Sequence, residues 1–320
     1  MNIRSSGYAT AGKTDCSYNF LILLTLQNKS RTKYLGTVLG GYAKQGSMNY
    51  RHIYHAGNFA DVFKHIILMR LVAYLQQKDK PLFFLDTHAG IGFYDLDSEQ
   101  AQKTGEADDG IDRLFKKPSG GPAVDDYLAL VKGYAPYYPG SPKIMQSLLR
   151  DQDRLVVNEL HPDDKETLAY NIGRSHQVRV ESMDGYVAMK ALLPPPERRG
   201  LVLVDPPFEV TDEFSRMVQG LQNAYERWAT GVYAFWYPIK GRQAIKDYHD
   251  ALKATGIRKI AAADFYLRRP HDPEILNGCG MVFVNPPWTL AEELNTIMAG
   301  LVPVLAEQSG SYHWTQIAGD

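Results

Sequence analysis

Cysteine is nearly missing from this chain: Cys16 and Cys279 are the only two in 320 residues, too few for a disulfide framework and unsuited by spacing to a zinc site. No stretch approaches the ~18–20 consecutive apolar residues that a membrane-spanning helix needs. The longest early one, Phe20 to Leu26, is broken by Thr25. An excess of charge of one sign is also lacking, since 35 Lys and Arg against 36 Asp and Glu leave a formal net charge of -1. That removes the global field by which strongly basic proteins gather on nucleic acid or anionic lipid. Internal repeats and low-complexity tracts are absent too. The expectation is a globular, cytoplasmic protein with no membrane partner, no resident metal and a monomer as the default state.

The charge present is unevenly spread. Residues 1–47 hold Arg4, Lys13, Lys29, Arg31, Lys33 and Lys44 against Asp15 alone, so the remainder of the chain is net acidic. This segment shows no sustained helical or strand period. A signal peptide is excluded by the sparse charge ahead of Phe20 and the want of a prompt small-residue cleavage site. Two readings remain: a basic arm for RNA phosphate, or an extension, disordered or wrongly annotated, ahead of a true start at Met48. The second is preferred, which places the domain at 48–320.

From Met48 onward, strands and helices alternate. Asn58 reads as a helix cap, followed by Val62, Phe63, Ile66, Ile67, Val72 and Leu75 at helical spacing, with the helix ending near Lys78. Seven buried strands are expected at 81–86, 154–160, 178–181, 201–205, 231–237, 259–267 and 281–285. Helices lie between them, for example at 162–173, 213–228 and 242–255. Such alternation predicts an α/β, Rossmann-like, mostly parallel sheet. The stretch from about 93 to 140 exceeds one crossover helix and reads as an inserted helical subdomain around a weakly helical Asp125–Tyr134.

Open α/β sheets bind ligands beyond the C-terminal ends of their strands. Four strands end in polar groups there: Asp86-Thr-His88-Ala-Gly90, then Asn158-Glu159, then Asp184-Gly185, then Asp205-Pro206-Pro207-Phe208. Each alone is a weak signal. In that order they resemble a class I S-adenosylmethionine-dependent methyltransferase. By that resemblance the glycine turn meets the methionine portion, Glu159 accepts from the ribose hydroxyls and Asp184 meets the adenine amine. A dinucleotide reading fails because the turn lacks G-x-G-x-x-G and has an acid at its mouth.

The Asp205-Pro-Pro-Phe208 element has a chemical logic of its own. An exocyclic amine on a base is a poor nucleophile because its lone pair is delocalised into the ring. Asp205 and the Pro206 carbonyl, accepting together from the amine, favour a tetrahedral nitrogen, while Pro207 stiffens the turn and Phe208 stacks on the base. Asp205 is also the candidate proton acceptor. The plain structural alternative is an aspartate that merely opens a Pro-Pro turn. A second element, Asn285-Pro-Pro-Trp288, has the same form. It is expected only to close the last strand, with Trp288 in the core.

More specific still are Met48-Asn-Tyr50-Arg51-His52, His55-Ala-Gly-Asn58, Ala60-Asp61, Lys64-His65, Leu85-Asp-Thr-His88-Ala-Gly90, Tyr138-Pro-Gly-Ser141-Pro142, Glu159-Leu-His-Pro162, Trp236-Tyr-Pro238 and Thr255-Gly-Ile-Arg-Lys259. Together with the strand ends above, these resemble the RlmJ family of bacterial 23S rRNA (adenine-N6)-methyltransferases over essentially all of 48–320. The resemblance implies S-adenosylmethionine as cofactor and S-adenosylhomocysteine as product. It implies cofactor contacts at Lys64, His88, Gly90, Ser141, Glu159, Asp184, Gly185 and Asp205, catalysis at Asp205, Pro206, Pro207 and Phe208, and an RNA contact at Tyr50. Phe208 departs from the more usual Tyr, and residues 1–47 have no counterpart. Read from the residues alone, Lys64 could be a solvated helix charge, His88 a structural hydrogen bonder and Ser141 a helix cap. An adenine in a stacked helix must be flipped out to react; the partner the resemblance implies is 23S rRNA, expected to be protein-free because an assembled subunit would sterically exclude a cleft of this kind. Basic candidates at the cleft mouth are Arg51, Arg198-Arg199, Arg242, Arg258-Lys259 and Arg268-Arg269. Rival readings are a DNA adenine or protein amide methyltransferase and a non-catalytic RNA-binding module.

Overall fold

Asn58 starts the first helix, α1 (Phe59–Gln76), by accepting from the N–H groups of Ala60 and Asp61 at 2.9 Å each. That satisfies two of the donors every helix start leaves free. The computed structural model describes residues 52–270 and 272–319. Around its N-terminal half α1 is buried on all sides, from Phe59 through Leu68, because the sheet lies beneath it and other helices cover it.

In chain order there follow β1 (Phe83–Asp86), β2 (Phe93–Asp95), α2 (Glu99–Thr104), α3 (Glu106–Asp109), α4 (Ile111–Lys116), α5 (Pro122–Gly133), β3 (Tyr137–Pro139) and α6 (Ser141–Leu148). Then come β4 (Arg154–Asn158), α7 (Pro162–Ile172), β5 (Val178–Glu181), α8 (Gly185–Leu192), β6 (Gly200–Val204), α9 (Glu213–Arg227), β7 (Val232–Ile239) and α10 (Arg242–Ala254). Last are β8 (Ile260–Tyr266), β9 (Gly278–Val284), α11 (Leu290–Leu305) and β10 (Ser311–Ala318).

The main sheet has the order β10-β8-β9-β7-β6-β1-β4-β5. It is the expected α/β sheet, mostly parallel in strand direction, but it has eight strands rather than seven. The additional one, β10, pairs antiparallel with β8 at the edge. Its sequence SYHWTQIA is polar and mostly exposed or half-buried, so it lacks the continuous apolar run of a strand covered on both faces. The inner strands do have that run. Along β6, Leu201 and Leu203 enter one core while Val202 and Val204 enter the other, as a side-chain period of two requires. One core is completed by α1, α4, α5, α6, α7 and α11, and the other by α8, α9 and α10. Each fully buried Leu, Val or Phe contributes roughly 1.5–3 kcal/mol.

Four helices, α2 to α5, are bracketed by a small antiparallel pair, Phe93–Asp95 with Tyr137–Pro139. Only α5 is long enough to show a period in sequence. α2, α3 and α4 are six, four and six residues, less than two turns each, so no apolar stripe can repeat.

Candidate functional site

β1, β4, β5 and β6 deliver their C-terminal ends to one edge of the sheet, and the strand order reverses at β1. That reversal opens the crevice in which α/β sheets hold ligands. Helix α1 passes close to it and contributes a buried charge. Lys64, 4% exposed, places its Nζ 2.5 Å from Asp205 Oδ2 and 2.8 Å from Asp61 Oδ1. Burial pulls against the ammonium's proton, but Asp205 and Asp61 outweigh it and hold Lys64 well above the usual lysine range. Asp61, against its own burial, is held well below the carboxylate range by His52, Lys64 and His65. It also accepts from Gly57 N–H at 2.9 Å and lies 3.0 Å from His52 Nε2. Lys64 is therefore no solvated charge: it is a fixed cation beside the Asp205 carboxylate.

Past Asp205 the chain turns through buried Pro206 and half-buried Pro207. Phe208 adopts φ 52, a backbone region few side chains tolerate. Its ring is set edge-on to Phe214 at 5.1 Å and Trp236 at 6.0 Å, which fixes where the phenyl group sits.

At the end of β1, Asp86 is fully buried and accepts from Ser141 Oγ at 2.6 Å. Burial raises its carboxyl to about 7, with the Ser141 hydrogen bond opposing. Ser141 is thus not a cap: α6 has Gly140 at that position with no side-chain cap, and the serine hydroxyl is spent on Asp86. His88 follows. Thr87 gives its one hydroxyl proton to the Leu203 carbonyl at 3.0 Å, so His88 Nδ1, 2.8 Å from Thr87 Oγ1, is the protonated nitrogen and Nε2 an acceptor. Burial lowers this imidazole to about 4, so it is neutral near pH 7. Its ring occupies the space beside Gly185, where a Cβ would come within 2.5 Å of Cε1 and 2.7 Å of Nε2. Only glycine fits there.

Gly90, at φ 59, turns its N–H onto Glu159 Oε2 at 2.9 Å, while Oε1 accepts from His161 N–H at 2.8 Å. Burial raises the Glu159 carboxyl. Each oxygen keeps a further lone pair, the acceptor pattern that a pair of ribose hydroxyls requires. Asn158 went unassigned in sequence, yet it ties three strand ends together. Its Nδ2 donates to the carbonyls of Thr87 and Met183 at 2.9 Å, and its Oδ1 accepts from Met183 N–H at 3.0 Å. Asp184 caps α8 by accepting from Tyr186 and Val187 N–H through Oδ1 and pairs with Arg216 through Oδ2.

The residues picked from sequence therefore meet at one edge in linked groups: Lys64 with Asp205, Ser141 beside Asp86, Gly90 with Glu159, and His88 against Gly185. A polar acceptor set beside a turn that only glycine allows fits an S-adenosyl group. Tyr50 and Arg51 lie outside the described residues. Strand direction sorts the other basic candidates. Arg242 follows the end of β7 and Arg268-Arg269 the end of β8, on the site's edge, whereas Arg198-Arg199 and Arg258-Lys259 precede β6 and β8 and so sit at the far edge. They cannot line the cleft mouth.

The second Pro-Pro turn is at that far edge too. β9 runs antiparallel to β7, with Val284 opposite Tyr233, so Asn285 emerges where β7 begins. Its Nδ2 donates to the carbonyls of Ala229 and Gly231 at 2.9 and 2.8 Å. The turn closes the last predicted strand, but Trp288 is 83% exposed rather than in the core. The chain turns outward before α11, whose own Leu290 and Leu294 fill the interior. Among the described residues no group of His, Cys, Asp or Glu could hold a metal ion, and no helix is long and apolar enough to cross a membrane.

A family model described as "Ribosomal RNA large subunit methyltransferase D, RlmJ" matches residues 79–317. The chain is 43% identical over 259 residues to ribosomal RNA large subunit methyltransferase J of Escherichia coli (strain K12), covering 79% of this chain and 92% of that protein. It is 42% identical over 274 residues to the protein of the same name from Haemophilus influenzae, covering 84% and 97%. Among solved structures it is similar to a crystal structure of a Legionella pneumophila protein, with TM-score 0.74, 36% identity, and coverage of 82% of this chain and 98% of that one.

Proposed function

The chain belongs to the RlmJ family of ribosomal RNA large subunit methyltransferases, and on that premise we propose that it methylates N6 of an adenine extruded from 23S rRNA, with S-adenosylmethionine as donor. The observation that carries this reading is the Lys64-held Asp205 at the end of β6, followed by a rigid Pro-Pro-Phe turn. It shares one sheet edge with Gly90, Glu159, Asp184 and Gly185.

Bound S-adenosylmethionine supplies an electrophilic methyl group. Asp205 and the Pro206 carbonyl accept from the two amine hydrogens and leave the nitrogen lone pair free to attack. Phe208 stacks on the purine and holds it in register. Asp205 receives the proton that the amine must lose, and Lys64, fixed 2.5 Å away, keeps that carboxylate in place. Glu159 and Asp184 serve as acceptors for ribose and adenine of the cofactor, and Tyr50 meets the RNA. An amide substrate is disfavoured, because Asn-Pro-Pro is the more usual element for amide targets and the one in this chain is at the opposite edge of the sheet.

Labelled methyl incorporation into 23S rRNA, genomic DNA and ribosomal protein tests the assignment. Transfer to rRNA, mapped as N6-methyladenine, is the expected result. Label in DNA or protein with none in rRNA rejects it. The same reading assigns the whole activity to residues 48–320, so a chain starting at Met48 should keep the full-length rate.

A further inference from the structure

Asp184 is engaged more fully than its role requires. Its Oδ1 is spent on the N–H groups of Tyr186 and Val187, at 2.9 and 3.1 Å. Any ligand donor must therefore use Oδ2, where Arg216 Nη2 already sits at 2.8 Å. A carboxylate oxygen accepts about two hydrogen bonds, so one place remains, beside the guanidinium. Arg216 is itself held on three sides. Besides Asp184, it reaches Glu213 Oε2 with Nη1 at 3.4 Å and lies over the Tyr186 ring at 4.9 Å. Tyr186 in turn donates to Glu213 Oε1 at 2.5 Å and meets His88 edge-on at 6.0 Å. Glu213 is 3% exposed. Without the guanidinium, two neighbouring carboxylates, one of them buried, would face each other with no cation between.

We propose that Arg216 is the positioning residue that holds the Asp184 carboxylate aimed for the cofactor's adenine amine, and so sets the preference for adenine in the cofactor. This rests on the reading of Asp184 as the adenine acceptor. Arg216 stands on α9, the helix that follows the Asp205–Phe208 turn. A planar guanidinium can bridge the two carboxylates while stacked on the Tyr186 ring, as a point-like ammonium cannot.

The test is calorimetric binding of S-adenosylhomocysteine and of S-inosylhomocysteine, whose base carries a carbonyl in place of the amine. Arg216→Leu should weaken the adenosyl ligand about tenfold while leaving the inosyl ligand nearly unchanged. Arg216→Lys should restore only part of the loss. Asp184→Asn should abolish the same preference, and the double variant should be no worse than either single one. If Asp184→Asn loses the preference but Arg216→Leu keeps it, binds more tightly, or weakens both ligands alike, the role of Arg216 is overturned and the cofactor site stands. If Asp184→Asn keeps the preference, the reading of Asp184 itself falls and the proposal with it.

Discussion

Asp205-Pro-Pro-Phe208 and Asn285-Pro-Pro-Trp288 are nearly the same four residues in form, each closing an inner strand of one sheet, yet they face opposite edges. The first emerges from β6, parallel to β1, and its acid is ion-paired to a buried lysine of α1. The second emerges from β9, antiparallel to β7, and its amide is spent on two backbone carbonyls of the turn before β7. The aromatic residues differ likewise: Phe208 is braced by two rings, whereas Trp288 is solvent-exposed. A motif of this kind acquires chemistry from the direction of its strand and from what the rest of the chain brings opposite it.

Substitution of each turn in parallel sharpens that contrast. Asp205→Ala should lower methyl transfer by at least about a hundredfold, the scale of a lost general base, while binding of S-adenosylhomocysteine stays measurable. Survival of most of the activity would show that the two turns are not so different. Phe208→Ala removes a stacking face worth about 1–3 kcal/mol per base, and should weaken productive RNA binding by roughly tenfold or more in steady-state kinetics.

Buried charge at the site's edge gives a third, pH-dependent contrast. Asp86 is held up at about 7 against an ordinary 3.8. Between roughly pH 4 and 7 the folded chain therefore binds a proton that the unfolded chain has released, and stability falls as the pH rises through that window before levelling off. Asp86→Asn, whose Oδ1 can still accept from Ser141, should erase this step and gain up to ~4 kcal/mol at pH 8 relative to wild type. Parallel urea titrations at pH 5 and pH 8 would read it, and an unchanged slope with pH would mean that Asp86 is not the titrating group.

At the far edge the effects should be smaller and of another kind. Asn285→Ala leaves the Ala229 and Gly231 carbonyls without their donor, so about 1–3 kcal/mol of stability should be lost with the turnover of the remaining folded enzyme unchanged. Trp288→Ala should stay within about 0.5 kcal/mol in stability and leave transfer to 23S rRNA unaltered. A fall in RNA methylation with Trp288→Ala would move the far edge into the functional surface.

Much of this was legible beforehand where local chemistry is decisive. Asn58 could be read as a cap because only a few side chains accept from helix-start N–H groups. The buried strands could be read because a sheet covered on both faces demands continuous apolar runs. Gly185, picked out beforehand as a strand-end glycine, is required by a neighbour, His88, that is nearly a hundred residues earlier. The Asp61–Lys64 pair had a faint signal in its three-residue helical spacing; the resemblance put Lys64 and Asp205 in one cofactor site, but no local pattern paired Asp61 or Lys64 directly with Asp205. Arg216 had no signal, being a polar residue without a motif, and Asn158 was quoted at its strand end but given no role. The exposed edge strand β10 was passed over because its residues do not look like those of an interior strand.

The order of side chains along each strand, and the stiff turns that follow them, was settled by the chain's own local sterics and hydrophobic periodicity. What required the folded molecule was the direction of β9, the meeting of Lys64 with a carboxylate 141 residues away, and the lock of Arg216 on Asp184. Strand direction and ion pairing are set by hydrogen bonds and charges between segments distant in the chain, and no run of neighbouring residues specifies those.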